Sequence, residues 1–253
     1  MNQNYSFTYV IGYRHKPDRL NNLRRVLDWI NGFGGVEVIL VEQDKHSKIS
    51  HLNLRAKHIF TKSNMPYNRS WAFNVAIKNA KSNIIVFGDS DLIMEPNQFI
   101  TALNSMKDYE MVSPYNSVVD LTSQESSLPL EQVININRPG RGENDNQKIN
   151  ISGGISIFRK DAIQKIGGWN EDFWSWGCED DYQTIKVGKF LSWTELKARC
   201  FHLYHERSQP DMNWYQRNLQ LLQNSAKMND DQLKKAISNQ ITKIGMKNKC
   251  DNF

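Results

Sequence analysis

The 253-residue chain has three cysteines, Cys178, Cys200 and Cys250, an odd number with no C-x-x-C spacing. That excludes a disulfide framework and a structural zinc site, and reduced thiols are expected. A run of about 18 apolar residues, the length that crosses a bilayer, is missing. So is the basic-then-apolar pattern of a signal peptide, since the chain starts Met1-Asn2-Gln3-Asn4. The expectation is a soluble, cytoplasmic protein. A net charge of +5 is dispersed, with no nucleic-acid motif, so no nucleic-acid partner is expected. Internal repeats are absent. At 39% hydrophobic residues the chain can bury a full core, and one large α/β domain fits better than two small ones.

What is present is an alternation of short apolar runs and helical spacings. Residues 7–12 read as a first strand, breaking at Tyr13-Arg14-His15-Lys16-Pro17. Leu20, Leu23, Leu27 and Ile30 then recur at helical spacing, ended by Gly32, Gly34 and Gly35. A second strand at 36–41 leads into Glu42-Gln43-Asp44, a third short strand is possible at 58–60, and Tyr67-Asn68-Arg69-Ser70 precedes a helix at 71–81. A strand at 84–87 follows. This order predicts a mostly parallel sheet with ligands at the carboxyl ends of its strands. Arg14, Asp44, Asp89 and Asp91 should therefore meet in one crevice. Further on the pattern predicts helices at 96–107, 161–166, 179–187, 211–224 and 230–244, and strands at 111–114, 149–158 and 199–203. The polar stretch 115–148 shows little periodicity and reads as a lid.

The most unusual segment is Phe173-Trp174-Ser175-Trp176-Gly177-Cys178-Glu179-Asp180-Asp181-Tyr182. Three adjacent carboxylates beside apolar rings raise one another's pKa at some cost in stability, which suggests chemistry. A helix start explains acidic residues equally well. The strand at 84–87 ends in Asp89-Ser90-Asp91, and His202-Leu203-Tyr204-His205 lies downstream. Together these are the parts of a metal-dependent sugar-nucleotide site.

A diphosphate leaving group needs its charge neutralised by a divalent cation. Asp91 is the expected metal ligand, with His205 the stronger histidine. His202 lies three residues earlier and could join only if the chain bends there. Carboxylate plus imidazole suits Mn²⁺ better than Mg²⁺. Asp180 is the candidate general base for an acceptor hydroxyl. Glu179 could orient the donor sugar and Asp181 the acceptor, with Trp174 and Trp176 offering flat faces to a pyranose unless they are core residues. Gly153-Gly154 allows close backbone approach, and Arg14 and Arg69 could engage a diphosphate.

These residues resemble the inverting GT-A glycosyltransferases, in particular the β-1,4-galactosyltransferase family and bacterial chondroitin-polymerase-like family 2 enzymes. Val41-Glu42-Gln43, Tyr67-Asn68-Arg69-Ser70 with Asn74-Val75, and Phe87-Gly88-Asp89-Ser90-Asp91-Leu92-Ile93 look like the donor-binding half. Gly153-Gly154-Ile155-Ser156, Gly168-Trp169 and the 173–181 segment look like the acceptor-binding half. The match runs in order over about 7–207, and the acidic-aromatic segment is its most specific part.

The resemblance implies a single GT-A domain over 1–253. Residues 1–110 would form the nucleotide-sugar half, 111–225 the acceptor half with the lid, and 226–253 a helical basic tail. It implies a UDP-sugar donor bound through Arg14, Glu42, Asp44, Arg69, Asp89, Asp91, Gly154 and Trp176, and a saccharide acceptor at Trp174, Trp176 and Asp181. Mn²⁺ would sit on Asp91 and His205, and Asp180 would act as base with inversion. A methionine stands at the position of His202 in the galactosyltransferases, and the change to histidine favours broader metal choice, including Mg²⁺. Ser175 and Cys178 replace glycines of the pattern, and Tyr182 replaces an acidic residue. The basic tail from Lys243 to Lys249 could touch anionic lipid at the inner membrane face beside a lipid-linked acceptor, although a solvated charged end explains it too. Two other readings share some of these parts: a catalytically silent glycan- or nucleotide-binding module, and a sugar-nucleotide nucleotidyltransferase. The latter normally has a Gly-rich loop after the first strand, which Tyr13-Arg14-His15-Lys16-Pro17 lacks.

Overall fold

A computed structural model describes residues 6–143, 149–206, 209–241 and 244–246. In chain order the elements are β1 (Thr8–Tyr13), α1 (Pro17–Asn31), β2 (Glu37–Asp44), β3 (Lys57–Lys62), α2 (Arg69–Asn79), β4 (Ile84–Gly88), β5 (Leu92–Met94), α3 (Pro96–Ser105), β6 (Met111–Ser113) and β7 (Ser117–Asp120). There follow α4 (Leu130–Val133), β8 (Ser156–Arg159), α5 (Lys160–Lys165), α6 (Glu179–Phe190), β9 (Trp193–Glu195), β10 (Arg199–His202), α7 (Met212–Ala226) and α8 (Asp230–Ile241).

The main sheet has the order β3-β2-β1-β4-β8-β6-β9. Its pairs β1–β2, β1–β4, β2–β3 and β6–β9 are parallel, and β8 runs antiparallel to β4 and β6. This is the mostly parallel, helix-flanked sheet that the strand–helix alternation predicts. Strands buried on both faces read as continuous apolar runs, and β1 shows why. Tyr9, Ile11 and Tyr13 enter one core with α1 and α3, whereas Val10 enters the other beneath α2 and α5. A second sheet, β5-β10-β7, covers the edge of the site.

Three sequence expectations change. The strand expected at 149–158 is confined to Ser156–Arg159; residues before it form turns, with Gly154 at φ +63°. The stretch 115–148 contains β7, paired in parallel with β10, and buries Tyr115, Val118, Val119, Leu121 and Val133. It is largely packed structure, with 144–148 outside the described residues. The helix expected to reach 244 is Asp230–Ile241 among the described residues, and residue 244 lies in a turn. Past it, Met246 O accepts from Trp71 Nε1 at 2.6 Å, and Gly245 N donates to Glu171 Oε1 at 2.5 Å, tying this stretch to α2 and to the segment between α5 and α6. Most of the basic tail, including Lys243, Lys249 and Cys250, lies outside the described residues. Among those described, no helix is long and apolar enough to cross a membrane, and Cys178 and Cys200 are buried free thiols.

Behind the acidic start of α6, Lys186 is fully buried. Its Nζ donates to the carbonyls of Ile166 and Gly168 at 3.1 and 2.5 Å. Burial pushes its pKa down to about 7. Between that value and the ordinary lysine range the unfolded chain holds a proton that the folded chain does not. Stability should therefore rise with pH above 7, by at most about 1.4 kcal/mol per unit. Melting scans between pH 7 and 9 should show this slope in the wild type and a smaller one in Lys186→Met. Equal slopes would refute the assignment.

Candidate active site

The loops at the carboxyl ends of β1, β2 and β4 form the floor of the site. Arg14 follows β1, and its Nε and Nη2 donate to Gln43 O and Met65 O at 2.9 and 2.8 Å. Gln43, part of the Val41-Glu42-Gln43 motif but given no role of its own from sequence, clamps Asn68: its Nε2 donates to Asn68 O and its Oε1 accepts from Asn68 N. Asn68 in turn caps α2 by accepting from Trp71 N at 2.8 Å. This fixes Arg69 in the first helical turn. Glu42 is fully buried and accepts from Ser47 Oγ, Lys48 N and His58 Nε2. Its oxygens hold the loop after β2, a structural role in place of the donor contact expected of it. Asp44 ends β2 and accepts from Lys45 N at 2.7 Å.

Arg69 joins the two acidic motifs. Its Nε donates to Asp89 Oδ1 at 2.9 Å, its Nη1 donates to Asp180 Oδ1 and lies 3.9 Å from Glu179, and its Nη2 donates to Gly154 O at 3.3 Å. The guanidinium also stacks over Phe73 and Trp169. Burial opposes its charge, but Asp180, Asp89 and Glu179 outweigh that and hold its pKa above the ordinary arginine value. Asp180 is pushed up to about 7, by burial first and then by Glu179 and Asp89, against the pull of Arg69. The side chain keeps 27% exposure, so solvent reaches one side while protein carboxylates crowd the other. Glu179 and Asp89 are raised by burial as well. Gly153 lies beside Asp180 Oδ2, where a Cβ would come within 3.4 Å. Asp181 accepts from Asn150 Nδ2 at 3.0 Å.

Asp91 follows β4 in a turn, and its carbonyl accepts from Leu203 N at 2.8 Å. The antiparallel register of His202 with Leu92 brings the histidine segment alongside. β10 ends at His202, and past it the chain leaves strand geometry, so the strict alternation that would part the two histidines no longer holds. His202 Nε2 lies 3.9 Å from Asp91 Oδ1, and His205 Nε2 lies 3.3 Å from Oδ2. The rings meet edge to face at 5.1 Å. Ligand atoms of the three residues lie within 4.8 Å of one another. His205 Nδ1 sits 3.0 Å from Glu206 O, an acceptor for its N–H, which leaves Nε2 for a cation. One carboxylate and two imidazole nitrogens fit a divalent metal such as Mn²⁺. Burial would raise Asp91, but its hydrogen bond to His205 and the charge of His202 hold it below the usual carboxylate range. That same bond raises His205. A cleft of about 240 Å³ opens beside them, lined by Asp120, Leu121, His202, Tyr204 and His205.

The aromatic residues separate. Trp174 is buried between Trp71 and Trp214, at 6.4 and 6.5 Å, so it is a core residue and not the acceptor-facing ring expected. Trp176 is 64% exposed and stacks on Tyr215 of α7 at 5.6 Å. The backbone is left-handed at Ser175, between them, and again at Cys178, two residues after Trp176, with φ of 63° and 72°. These are left-handed positions that glycine would occupy without strain, and a side chain there costs about 1–2 kcal/mol. Tyr115, from the polar stretch, fixes the glycine turn: its OH donates to Gly153 O and accepts from Ile155 N, each at 3.0 Å.

Comparison with known proteins agrees with this architecture. Residues 19–167, more than half of the chain, match the model of glycosyl transferase family 2, and residues 144–206 match that described as the N-terminal domain of galactosyltransferase. β-1,4-Galactosyltransferase 5 of Danio rerio is 27% identical over 122 residues. That match covers 47% of this chain and 26% of the relative's length. The catalytic domain of Drosophila β1,4-galactosyltransferase 7, solved with xylobiose, shares the fold at a TM-score of 0.56 and 14% identity, covering 85% of this chain and 80% of that one. A mutant of the same enzyme was solved with manganese, UDP-Gal and xylobiose. S. aureus TarS 1–349, solved with UDP-GlcNAc, superposes at 0.57 with 13% identity, covering 94% and 72%. The fold is GT-A, and the chain belongs to glycosyl transferase family 2.

Proposed function

We propose that this chain is a metal-dependent inverting glycosyltransferase that moves a hexose or N-acetylhexosamine from a UDP-sugar to a saccharide hydroxyl, with Asp180 as general base. The observation that carries this reading is Arg69, which ties Asp89, in the same turn as Asp91, to Asp180 and Glu179 on α6. This link supports a single site for the proposed cation ligands and the proposed base. Neighbours of the same fold were solved with UDP-Gal and manganese, and with UDP-GlcNAc.

Arg69 holds Oδ1 of Asp180, and Oδ2 beside Gly153 is the oxygen offered to the acceptor hydroxyl. As the acceptor oxygen bonds to the anomeric carbon, its proton passes to Asp180. The bond from that carbon to the diphosphate breaks, and UDP leaves with the electron pair. A pKa of about 7 matches this task, because the base is largely ionised above neutrality yet basic enough to take a proton. Held by Asp91, His202 and His205, a divalent cation, Mn²⁺ by ligand chemistry, would neutralise the leaving diphosphate. Arg14, at the carboxyl end of β1, would engage the donor's phosphates. Trp176 would offer the acceptor ring an open aromatic face, and Asp181, steadied by Asn150, would meet an acceptor hydroxyl.

A panel of UDP-sugars with Mn²⁺, scored for slow release of UDP without acceptor, tests this reading. One or two UDP-sugars should be hydrolysed in a metal-dependent manner. Turnover of UTP with sugar 1-phosphates instead would establish a nucleotidyltransferase, and no turnover with any donor would leave a binding module.

A further inference from the structure

The segment 115–143 contributes a carboxylate to the back of the histidine pair. β7 ends at Asp120, which the parallel register places opposite His202. Asp120 Oδ1 lies 3.0 Å from His202 Nδ1, on the side of the ring away from the nitrogen that approaches Asp91. Two guanidinium bonds hold that carboxylate: Arg141 Nε and Nη2 donate to Oδ2 and Oδ1 at 2.9 and 3.1 Å. The backbone keeps Arg141 in place, since Val118 and Arg141 exchange both amide bonds at 2.9 and 2.8 Å. Arg138, paired with Glu125 at 2.6 Å, also donates to the carbonyl of Asp120.

Resting on the metal-dependent reading above, we propose that Asp120 is a positioning residue that sets the tautomer and orientation of His202. Arg141 serves as its brace. A carboxylate accepting from Nδ1–H keeps the proton on that nitrogen, so Nε2 presents its lone pair to the cation shared with Asp91 and His205. Without that acceptor a neutral imidazole favours the proton on Nε2, which would blind His202 as a ligand. His205 needs no such partner, because the carbonyl of Glu206 plays the same part. The polar stretch thus builds the outer layer of the cation site.

Losing such an outer partner generally weakens metal binding by about 10–100-fold. The test uses the full chain with Mn²⁺ alone, titrated by electron paramagnetic resonance, together with nitrogen-15 NMR of the histidine rings without metal. In the wild type His202 should carry its proton on Nδ1. Asp120→Ala should raise the Mn²⁺ dissociation constant about 10–100-fold and move the proton to Nε2, with UDP-sugar turnover recovering at high Mn²⁺. Asp120→Asn, which keeps an acceptor oxygen, should fall between. If the wild type binds Mn²⁺ through Asp91 but Asp120→Ala binds it equally well, or if wild-type His202 is protonated on Nε2, the positioning role is wrong and the metal reading survives. A wild type that binds no Mn²⁺ overturns both. The wild-type tautomer decides the matter even if the variants fold poorly.

Discussion

Asp180→Asn should lower the turnover number by about 10³-fold, within the usual range for loss of a general base. It should leave Mn²⁺-dependent UDP binding within about twofold, because a single carbonyl oxygen can still accept from Arg69. The pH dependence follows from the raised pKa of about 7. Protonated Asp180 cannot accept a proton, so kcat/KM should fall about tenfold for each unit below that value and level off above it. Profiles between pH 5.5 and 8.5 check this. A flat wild-type profile, or full activity in Asp180→Asn, would remove Asp180 from the chemistry.

Asp91→Ala should abolish the part of UDP affinity that depends on Mn²⁺. Asp91 is the carboxylate that faces both imidazoles, and two neutral nitrogens alone hold a hard divalent cation poorly. Mn²⁺ affinity should drop by more than about 100-fold, judging from the 10–100-fold loss that outer partners alone produce. Calorimetric titration of UDP with and without Mn²⁺ reads the effect: the two wild-type isotherms should differ and the two variant isotherms should coincide. Removing Asp91 also strands the His205 hydrogen bond, at about 1–3 kcal/mol of stability. Asp91→Asn, which keeps the shape and a neutral partner, is therefore the companion variant and should lose the same metal dependence.

The central sheet was legible because strands buried on both faces are mostly apolar, as at 7–12, 36–41 and 84–87, where the two polar residues Thr8 and Glu37 hydrogen-bond to each other. Short strands were not. β5, β7 and β9 are three or four residues long, too few for a period to show, and only pairing with distant partners makes them strands. Isoleucines at 149, 151 and 155 imitate a strand that the left-handed Gly154 and the hydroxyl of Tyr115 turn into a bend. Asp89, Asp91, Glu179, Asp180, His202 and His205 could be found because their chemistry is clustered along the chain. Asp120, Asn150 and Tyr215 are single polar or aromatic residues whose meaning comes from a partner far away in sequence, and no local pattern marks them. Trp174 and Trp176 show the same limit. Two residues apart, they differ tenfold in exposure, 6% against 64%, because the left-handed Ser175 between them swings one inward and the other outward.

Anomalous scattering at the manganese edge, from crystals of the full chain grown with Mn²⁺ and UDP, tests most directly whether one cation and one base share a site. A single peak should lie among Asp91 and the Nε2 atoms of His202 and His205, with the uridine diphosphate running from it toward Arg14 and with Asp180 facing the same cavity. A peak held by other residues, or UDP bound in a cavity that Asp180 does not reach, would contradict the proposed enzyme.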